Sequence, residues 1–286
     1  MELCLAVDIG GTKLAAGAVD RAGRLVTGRR RPTPTTDDGE EIFAALTDMV
    51  GEVLAGLPAR AVVCGVGCGG PISGDGLWVS PLNIRAWRRF PLAGRLAGAT
   101  GLPTYVDNDA KALALGEGWV GAARGRRNYL SMVVSTGVGG GIVLDGRLLE
   151  GDAGNAGHIG HVVVEPDGRP CPCGGRGCLE AEASGTAIAA VTGAPAAGAG
   201  PAVVARAGTL VGRAVASVVN LLDLGLAAVG GSVALGFGTP FFTAASAELE
   251  RRSRIEFARN ARVVPSALGP DGGLVGAAAV GWRALG

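Results

Sequence analysis

One histidine and three cysteines lie within eighteen positions of this chain: His161, Cys171, Cys173 and Cys178. Glycine and proline separate them, so the chain can turn back on itself there. Three thiolates and an imidazole are the ligand set of a closed tetrahedral zinc site. The pattern therefore predicts a structural zinc loop, since four protein ligands leave no open position. The alternative is a disulfide plus a free thiol, although Cys171 and Cys173 are too close for an easy mutual bridge.

Two glycine-rich turns, at residues 8–13 and 135–141, each follow an apolar run and precede another. Glycine leaves backbone N–H groups open to phosphate oxygens. One such turn is more often a plain hairpin, but two in separate halves predict nucleotide phosphate binding. Neither is a Walker loop, because the G-x-x-x-x-G-K-[ST] pattern is absent. Asp8 could hold a Mg²⁺ water and Lys13 could offset phosphate charge. The candidate phosphate-binding residues are Asp8, Gly10, Gly11, Thr12, Lys13, Thr136 and Gly137.

A third polar group follows a predicted strand at the start of a predicted helix: Asp107, Asn108 and Asp109. A hydroxyl that attacks a phosphate must lose its proton, and a carboxylate at the acceptor oxygen can take it. We therefore take Asp109 as the candidate catalytic base. The alternative for an aspartate at a helix start is an N-cap. Lys111, just after it, would either lower the pKa of Asp109 or point to solvent.

The periodicity of apolar residues predicts an α/β chain that begins with antiparallel strands. Strands are predicted at residues 3–7, 14–19, 25–27, 61–68, 103–106, 129–134, 142–144, 147–149 and 226–229. Helices are predicted at residues 42–57, 110–121, from 184 onward, 241–254 and 272–285, with a looser patch at 193–201.

Composition narrows the class of protein. A net charge of +1 over 286 residues gives no electrostatic reason to expect a nucleic acid or an anionic membrane as partner. The N-terminus lacks a basic signal region, and no uncharged apolar stretch approaches about 20 residues, so neither a signal peptide nor a membrane helix is expected. Cys4, Cys64 and Cys68 lie in apolar runs and are expected to be buried. A cytoplasmic, reducing location is therefore predicted.

The duplicated strand–turn–hairpin arrangement resembles the actin, hexokinase and heat-shock-protein ATPase superfamily. The runs Ala156-Gly157-His158-Ile159-Gly160-His161 and Cys171-x-Cys173-Gly174-x-x-Gly177-Cys178-x-Glu180 resemble the signature of the ROK family (repressors, open reading frames and kinases). The resemblance covers nearly the whole chain. ROK repressors carry an N-terminal DNA-binding domain. Here Asp8, the first residue of the matching motifs, is almost at the start of the sequence, so that domain is not expected. The resemblance therefore implies a sugar kinase, most similar to bacterial glucokinases.

The resemblance implies a two-lobe actin-like ATPase (ribonuclease H-like) fold with a cleft between the lobes and a zinc-binding loop. The small α/β lobe is expected at 1–112, with a C-terminal helix at about 272–286 packing back on it. The large lobe is expected at 113–271, with the zinc loop at 161–180. The lobes should close over the sugar and exclude water. A homodimer or homotetramer is expected from the relatives.

The resemblance also implies ATP and Mg²⁺ as cofactors beside the structural Zn²⁺, and it assigns roles. The histidine matching His161 contacts zinc and sugar through its two nitrogens, and Glu180 accepts from sugar hydroxyls. The turn Gly230-Gly231-Ser232 should face adenine, where the alternative is a helix N-terminus without a ligand. Asn83 is a second polar candidate, with a plain turn residue as the alternative. The candidate sugar-binding residues are Gly70, Asn83, Asn108, Asp109, His158, His161 and Glu180.

One position departs from the family pattern. ROK kinases usually read Glu-x-Gly-His, where this chain has His158-Ile159-Gly160-His161. An imidazole is bulkier than a carboxylate and can donate as well as accept. The expected activity is phosphorylation of the primary hydroxyl, at carbon 6, of a hexose or hexose-like substrate, with altered specificity. An amino sugar (an N-acetylhexosamine or kanosamine) or a seven-carbon cyclitol would fit, whereas drift at a tolerant position is the plainer alternative. A sugar sensor without activity is the alternative of another class.

Overall fold

The computed structural model describes residues 2–286, and they divide into two compact units. The first unit comprises Met1–Gly121, Glu150–Ala156 and Leu268–Gly286, of which Met1 lies outside the described residues. The second unit comprises Ala122–Leu149 and Gly157–Ala267. Each unit has its own mixed sheet and its own hydrophobic core.

Residues 2–286 contain ten strands and nine α-helices. The strands are β1 Leu3–Ile9, β2 Lys13–Asp20, β3 Leu25–Pro32, β4 Ala61–Cys68, β5 Thr104–Asn108, β6 Tyr129–Val134, β7 Val138–Leu144, β8 Arg147–Leu148, β9 Leu226–Gly230 and β10 Arg262–Pro265. The helices are α1 Gly39–Ala55, α2 Leu92–Thr100, α3 Asp109–Val120, α4 Leu179–Ala183, α5 Gly185–Thr192, α6 Pro201–Leu222, α7 Ser232–Phe237, α8 Thr239–Arg252 and α9 Gly272–Leu285.

The two sheets have the same topology. The strand order is β3-β2-β1-β4-β5 in the first unit and β8-β7-β6-β9-β10 in the second. In both, the first three strands form an antiparallel meander, and the first strand then pairs in parallel with the fourth and the fourth with the fifth. The predicted duplication of the strand–turn–hairpin arrangement is therefore confirmed. Because parallel strands end at one edge, polar residues that follow β1, β4 and β5 meet there.

The first unit extends beyond the predicted boundary at residue 112, because α3 continues without a break to Val120. Helix α9 packs on β4 and α3 of this unit at backbone distance. A Cβ on Gly65 of β4 would lie 2.0 Å from the Ala277 carbonyl oxygen, and one on Gly116 of α3 would lie 3.1 Å from Gly276 Cα. Glycine at both positions removes the side chain that would separate these elements.

Helix α6 is the central helix of the second unit. Its apolar stripe, which includes Val211, Val215 and Val219, is buried in the core of that unit. Among the helices of residues 2–286, it is the one that is long and apolar enough to span a membrane. However, 61% of its apolar 18-residue stretch is buried inside the protein. Away from this stripe, Arg206 and Arg213 form ion pairs with Glu182 and Glu248. Core packing accounts for its apolar character.

Candidate active site and metal centre

The turn between β1 and β2 is a tight glycine hairpin. The Gly10 amide donates to the Lys13 carbonyl over 3.0 Å, and the Thr33 hydroxyl donates to the Gly10 carbonyl over 2.7 Å. The Gly10 N–H therefore closes the turn, whereas Thr12 and Lys13 are exposed. A Cβ on Gly11 would lie 2.5 Å from the Asn83 Cβ. Asn83, a sugar-binding candidate from a distant part of the sequence, therefore lies directly against the turn.

Strand register brings the two candidate aspartates of the first unit together. Asp8 lies opposite Gly67 of β4, and the next β4 residue, Cys68, lies opposite Asn108 at the end of β5. Burial raises the pKa of Asp8 to about 6, and the negative charge of Asp109 adds to this effect, while Lys13 opposes it. A Cβ on Gly273, in the first turn of α9, would lie 2.2 Å from Asp8 Oδ2. The first unit therefore gathers two carboxylates beside the turn of residues 8–13, for which phosphate binding is predicted.

Asn108, not Asp109, is the N-cap of α3. Its Oδ1 accepts from the amides of Ala110 at 3.1 Å and Lys111 at 3.4 Å. Asp109 is the first residue of the helix, and its side chain is exposed. The N-cap position, which was the alternative for Asp109, is therefore occupied by Asn108, while Asp109 Oδ1 also accepts from the Ala110 amide over 2.8 Å. Because Asn108 Oδ1 is occupied, the predicted sugar contact of Asn108 falls to Nδ2. This atom lies beside Gly70, since a Cβ on Gly70 would lie 3.4 Å from Asn108 Nδ2.

Lys111 does not point to solvent, so that alternative is wrong. It is 2% exposed, forms ion pairs with Asp107 at 3.4 Å and with Glu150, and donates to the Gly154 carbonyl over 2.9 Å. These contacts tie the segment Glu150–Ala156 to α3 within the first unit. Burial raises the pKa of Asp107, and the Lys111 ammonium opposes that rise.

The four predicted metal ligands converge in the second unit. One ring nitrogen of His161 and the three Sγ atoms all lie within 4.8 Å of one another. Cys171 Sγ lies 3.7 Å from His161 Nδ1, and Cys173 Sγ lies 3.7 Å from Cys178 Sγ. A tetrahedron with bonds of about 2.3 Å has edges of about 3.8 Å. The donor set therefore fits a zinc ion, and these three cysteines are free thiols.

Tight turns and a buried carboxylate shape this zinc loop. Gly177 has φ +67°, and a Cβ there would lie 1.6 Å from the Glu165 carbonyl oxygen. Glu182 accepts from the Arg169 amide over 2.6 Å and pairs with Arg206 over 2.8 Å. Although burial opposes it, these partners hold the pKa of Glu182 below its usual range. Glu182 was not predicted from the sequence, because only the fold brings Arg206 to it.

The motif at residues 158–161 packs against β7. The rings of His158 and His161 are both exposed, 6.1 Å apart between centroids and inclined by 71°. A Cβ on Gly140 would lie 2.8 Å from Ile159 Cγ2, and one on Gly160 would lie 2.3 Å from the Val138 carbonyl oxygen. The glycines at 139–141 are therefore strand residues, so the prediction of a phosphate turn over 135–141 was too long. Because His161 Nδ1 faces Cys171 Sγ, the sugar contact predicted for His161 falls to Nε2.

Glu180 lies against the turn of residues 135–137, called here the second phosphate turn because phosphate binding is predicted for it. Its Oε2 accepts from the Val138 amide over 2.9 Å, and a Cβ on Gly137 would lie 2.7 Å from the same oxygen. The Ser135 amide donates to the Gly137 carbonyl over 2.9 Å, which closes the turn, and Thr136 is exposed. The predicted sugar ligand Glu180 thus has a backbone partner that the sequence did not indicate.

The predicted adenine turn lies beside the second phosphate turn, because β9 runs parallel to β6. Ser232 Oγ lies 2.9 Å from Ser135 Oγ. Gly231 has φ +96°, and a Cβ there would lie 2.3 Å from the Val134 carbonyl oxygen, so glycine is required. Two predicted nucleotide-binding segments of the second unit therefore form one edge.

Known proteins are similar to this chain in both sequence and fold. The ROK family profile matches residues 4–283. An N-acetylmannosamine kinase of Citrobacter koseri is 40% identical over 82% of this chain and 84% of its own length. A glucokinase of Halalkalibacterium halodurans is 43% identical over 65% of this chain, and the match spans 57% of that relative's length. A ROK hexokinase of Thermus thermophilus is 34% identical, with a TM-score of 0.86 over 99% of each chain.

A solved ROK glucokinase of Streptomyces griseus, in complex with glucose and AMPPNP, is 31% identical and superposes with a TM-score of 0.85 over 98% of this chain and 99% of its own. The duplicated sheets and their edge turns thus define the two-lobe, actin-like ATPase fold. Within that class, the chain belongs to the ROK family.

We expect Cys173→Ser to abolish zinc binding, because a hydroxyl replaces one of the four thiolate and imidazole donors. Metal analysis of the purified protein should give about one zinc per chain for the wild type and for Cys64→Ala, a cysteine outside the cluster. A wild-type protein that contains less than about a tenth of a zinc ion per chain would contradict the site. A Cys173→Ser variant that contains as much zinc as the wild type would contradict it as well.

We expect Asp8→Asn to stabilise the fold above neutral pH. The folded-state pKa of Asp8 is raised, so its ionisation destabilises the native state, and stability falls as pH rises from about 4 through about 6. The amide removes this cost, so the variant should gain on the order of 3 kcal/mol at pH 8 and little below about pH 3.5. Urea unfolding at several pH values measures the difference; the exposed Asp37→Asn is the control. An equal gain at all pH values would contradict the electrostatic origin.

Proposed function

We propose that this protein is an ATP-dependent sugar kinase that phosphorylates the primary hydroxyl of a hexose or hexose-like substrate. One observation carries the proposal: Asn108 caps α3, and Asp109 is exposed at the helix start beside Asp8 and the first phosphate turn. Support comes from relatives that are glucokinases and N-acetylmannosamine kinases. The solved relative bound to glucose and a nucleotide analogue agrees with this reaction type.

The chemistry assigns a proton transfer to Asp109. Its carboxylate takes the proton of the acceptor hydroxyl as that oxygen forms a bond to the γ-phosphorus. The bond between the γ-phosphorus and the bridging oxygen breaks, and ADP leaves with the electron pair. Catalysis of this kind depends on positioning and charge stabilisation. Asp109 is the base in this proposal, and Thr136, Gly137 and the turn Gly230-Gly231-Ser232 are the residues proposed to bind the nucleotide.

The carboxylate of Asp8 fits a role in binding Mg²⁺ with the nucleotide, since oxygen ligands suit that ion. The ion would offset phosphate charge. Because burial and Asp109 raise the pKa of Asp8, a cation beside it would also remove the electrostatic cost of its charge. Lys13, exposed on the same turn, would add a second positive charge.

The acceptor is proposed to differ from plain glucose on the side that His158 faces. An imidazole stands where the family signature has glutamate, and its ring lies 6.1 Å from that of His161. An amino sugar, including an N-acetylhexosamine, supplies a group that an imidazole can accept from or donate to. The relatives span both classes, with a glucokinase and an N-acetylmannosamine kinase at 43% and 40% identity. A seven-carbon cyclitol is the further candidate.

We expect Asp109→Asn to lower turnover by at least about a hundredfold while sugar and nucleotide still bind, because an amide cannot take the proton. A coupled ADP-release assay measures turnover, and calorimetry measures binding. The exposed helix variant Asp48→Asn is the control. If Asp109→Asn retained wild-type turnover, another group would be the base. If the wild type bound sugar but released no ADP with any acceptor, the sensor alternative would replace the kinase.

We expect His158→Glu to shift acceptor preference toward glucose, because the carboxylate restores the group that the family signature carries. The ratio of kcat/KM values would be measured for glucose, mannose, glucosamine, N-acetylglucosamine, N-acetylmannosamine, kanosamine and a seven-carbon cyclitol. A change of about tenfold or more in that ratio is expected, as for one gained or lost polar contact. An unchanged profile would show that His158 is a neutral difference.

A further inference from the structure

A short piece of chain joins the zinc cluster to the second phosphate turn. It consists of residues 178–186, here called the strap, and contains α4, Ser184 and the first two residues of α5. Its first residue, Cys178, is one of the four metal-ligand candidates. Its last residue, Thr186, lies against the phosphate turn. The second unit contains the whole of the strap and both ends of the connection.

The strap holds the turn through every residue from Ser135 to Val138 except Gly137. The Gly185 amide donates to the Ser135 carbonyl over 2.7 Å. Thr186 donates twice to the Thr136 carbonyl, from its amide at 3.2 Å and from its hydroxyl at 2.9 Å. Glu180 accepts from the Val138 amide over 2.9 Å.

The other end of the strap is fixed beside the zinc cluster. Cys178 and Leu179 are buried, and the Leu179 amide donates to the Val162 carbonyl over 2.9 Å. Between the ends, the buried Ser184 caps α5, accepting from the Ala187 amide over 3.1 Å. A helix, a cap and a second helix therefore connect Cys178 to the turn without an intervening loop.

We propose that the strap makes the order of the second phosphate turn depend on the zinc site, and that Thr186 is a positioning residue for the nucleotide. The turn has one internal hydrogen bond and contains glycine, so without the strap it would sample many conformations. Holding it in one conformation lowers the entropy cost of binding phosphate. The proposal assigns Thr186 no contact with the substrate: it acts through the Thr136 carbonyl.

The first experiment tests Thr186→Val, which removes the hydroxyl and keeps the branched shape. A non-hydrolysable ATP analogue with Mg²⁺ should bind about threefold to tenfold more weakly by calorimetry, the effect expected for one lost hydrogen bond. Zinc content and sugar affinity should not change, and Thr186→Ser should restore nucleotide binding. Thr192→Val, at the other end of α5, loses a hydroxyl bonded to the Ile188 carbonyl and is the matched control.

The second experiment measures amide hydrogen exchange at Ser135–Val138 and does not depend on catalysis. A chelator that removes zinc from the wild type should accelerate exchange there, while the sheet amides of Leu130 and Met132 stay protected. Thr186→Val should accelerate exchange at the same turn with zinc retained. If the chelator opened the sheet as well, the zinc-loaded variant would decide the outcome.

The nucleotide half of this inference rests on the proposed function, and the two can fail separately. If the wild type bound no nucleotide but zinc removal still loosened the turn, the proposed function would fail and the strap would stand. Unchanged exchange at Ser135–Val138 after zinc removal would overturn the dependence of the turn on zinc. Unchanged exchange in Thr186→Val would overturn the role of the strap in holding the turn. Wild-type nucleotide affinity in Thr186→Val would overturn the positioning role of Thr186.

Discussion

The parallel register of β1, β4 and β5 is the constraint on which the candidate catalytic centre of the first unit depends. These strands come from three distant parts of the chain, but their carboxyl ends lie at one edge. That edge sets Asp8, Asn108 and Asp109 beside one another. The second unit repeats the same order of pairing, and there the edge joins Ser135 to Ser232. One topology thus forms, in each unit, the edge at which nucleotide binding is predicted.

The gathering of acidic groups has an electrostatic cost, and the fold retains it. The pKa of Asp8 is raised by burial and by Asp109, and no described side chain forms a direct ion pair with Asp8. Structural carboxylates elsewhere are treated differently: Glu248 is paired with Arg213, Arg251 and Arg252, and despite burial its pKa is lowered to about 2. A buried carboxyl group whose pKa is raised by burial and by a nearby second carboxylate is a candidate for a functional role.

The metal cluster and the buried ion pairs act together on the second unit. Glu182 and Arg206 fix the base of the zinc loop to α6, and Cys178 continues directly into α4. The same short segment then carries Glu180 and Thr186 to the phosphate turn. In the proposed kinase, a zinc ion without an open coordination position would still influence substrate binding. It would do so by fixing the chain segment that carries Glu180 and Thr186, and not by contacting the substrate.

The sequence by itself determined what depends on local spacing. The predicted zinc ligands lie within one loop, and both predicted phosphate turns follow apolar strands. Helical periodicity located α1 and α9. All of these signals need only neighbouring residues. Tertiary structure alone decided the partners of residues distant in the chain. It showed that Asn108 caps α3, that Lys111 is buried against Glu150, and that Gly140 is a strand residue facing Ile159. Thr186 gave no local signal, since its role exists only where α5 meets the turn after β6.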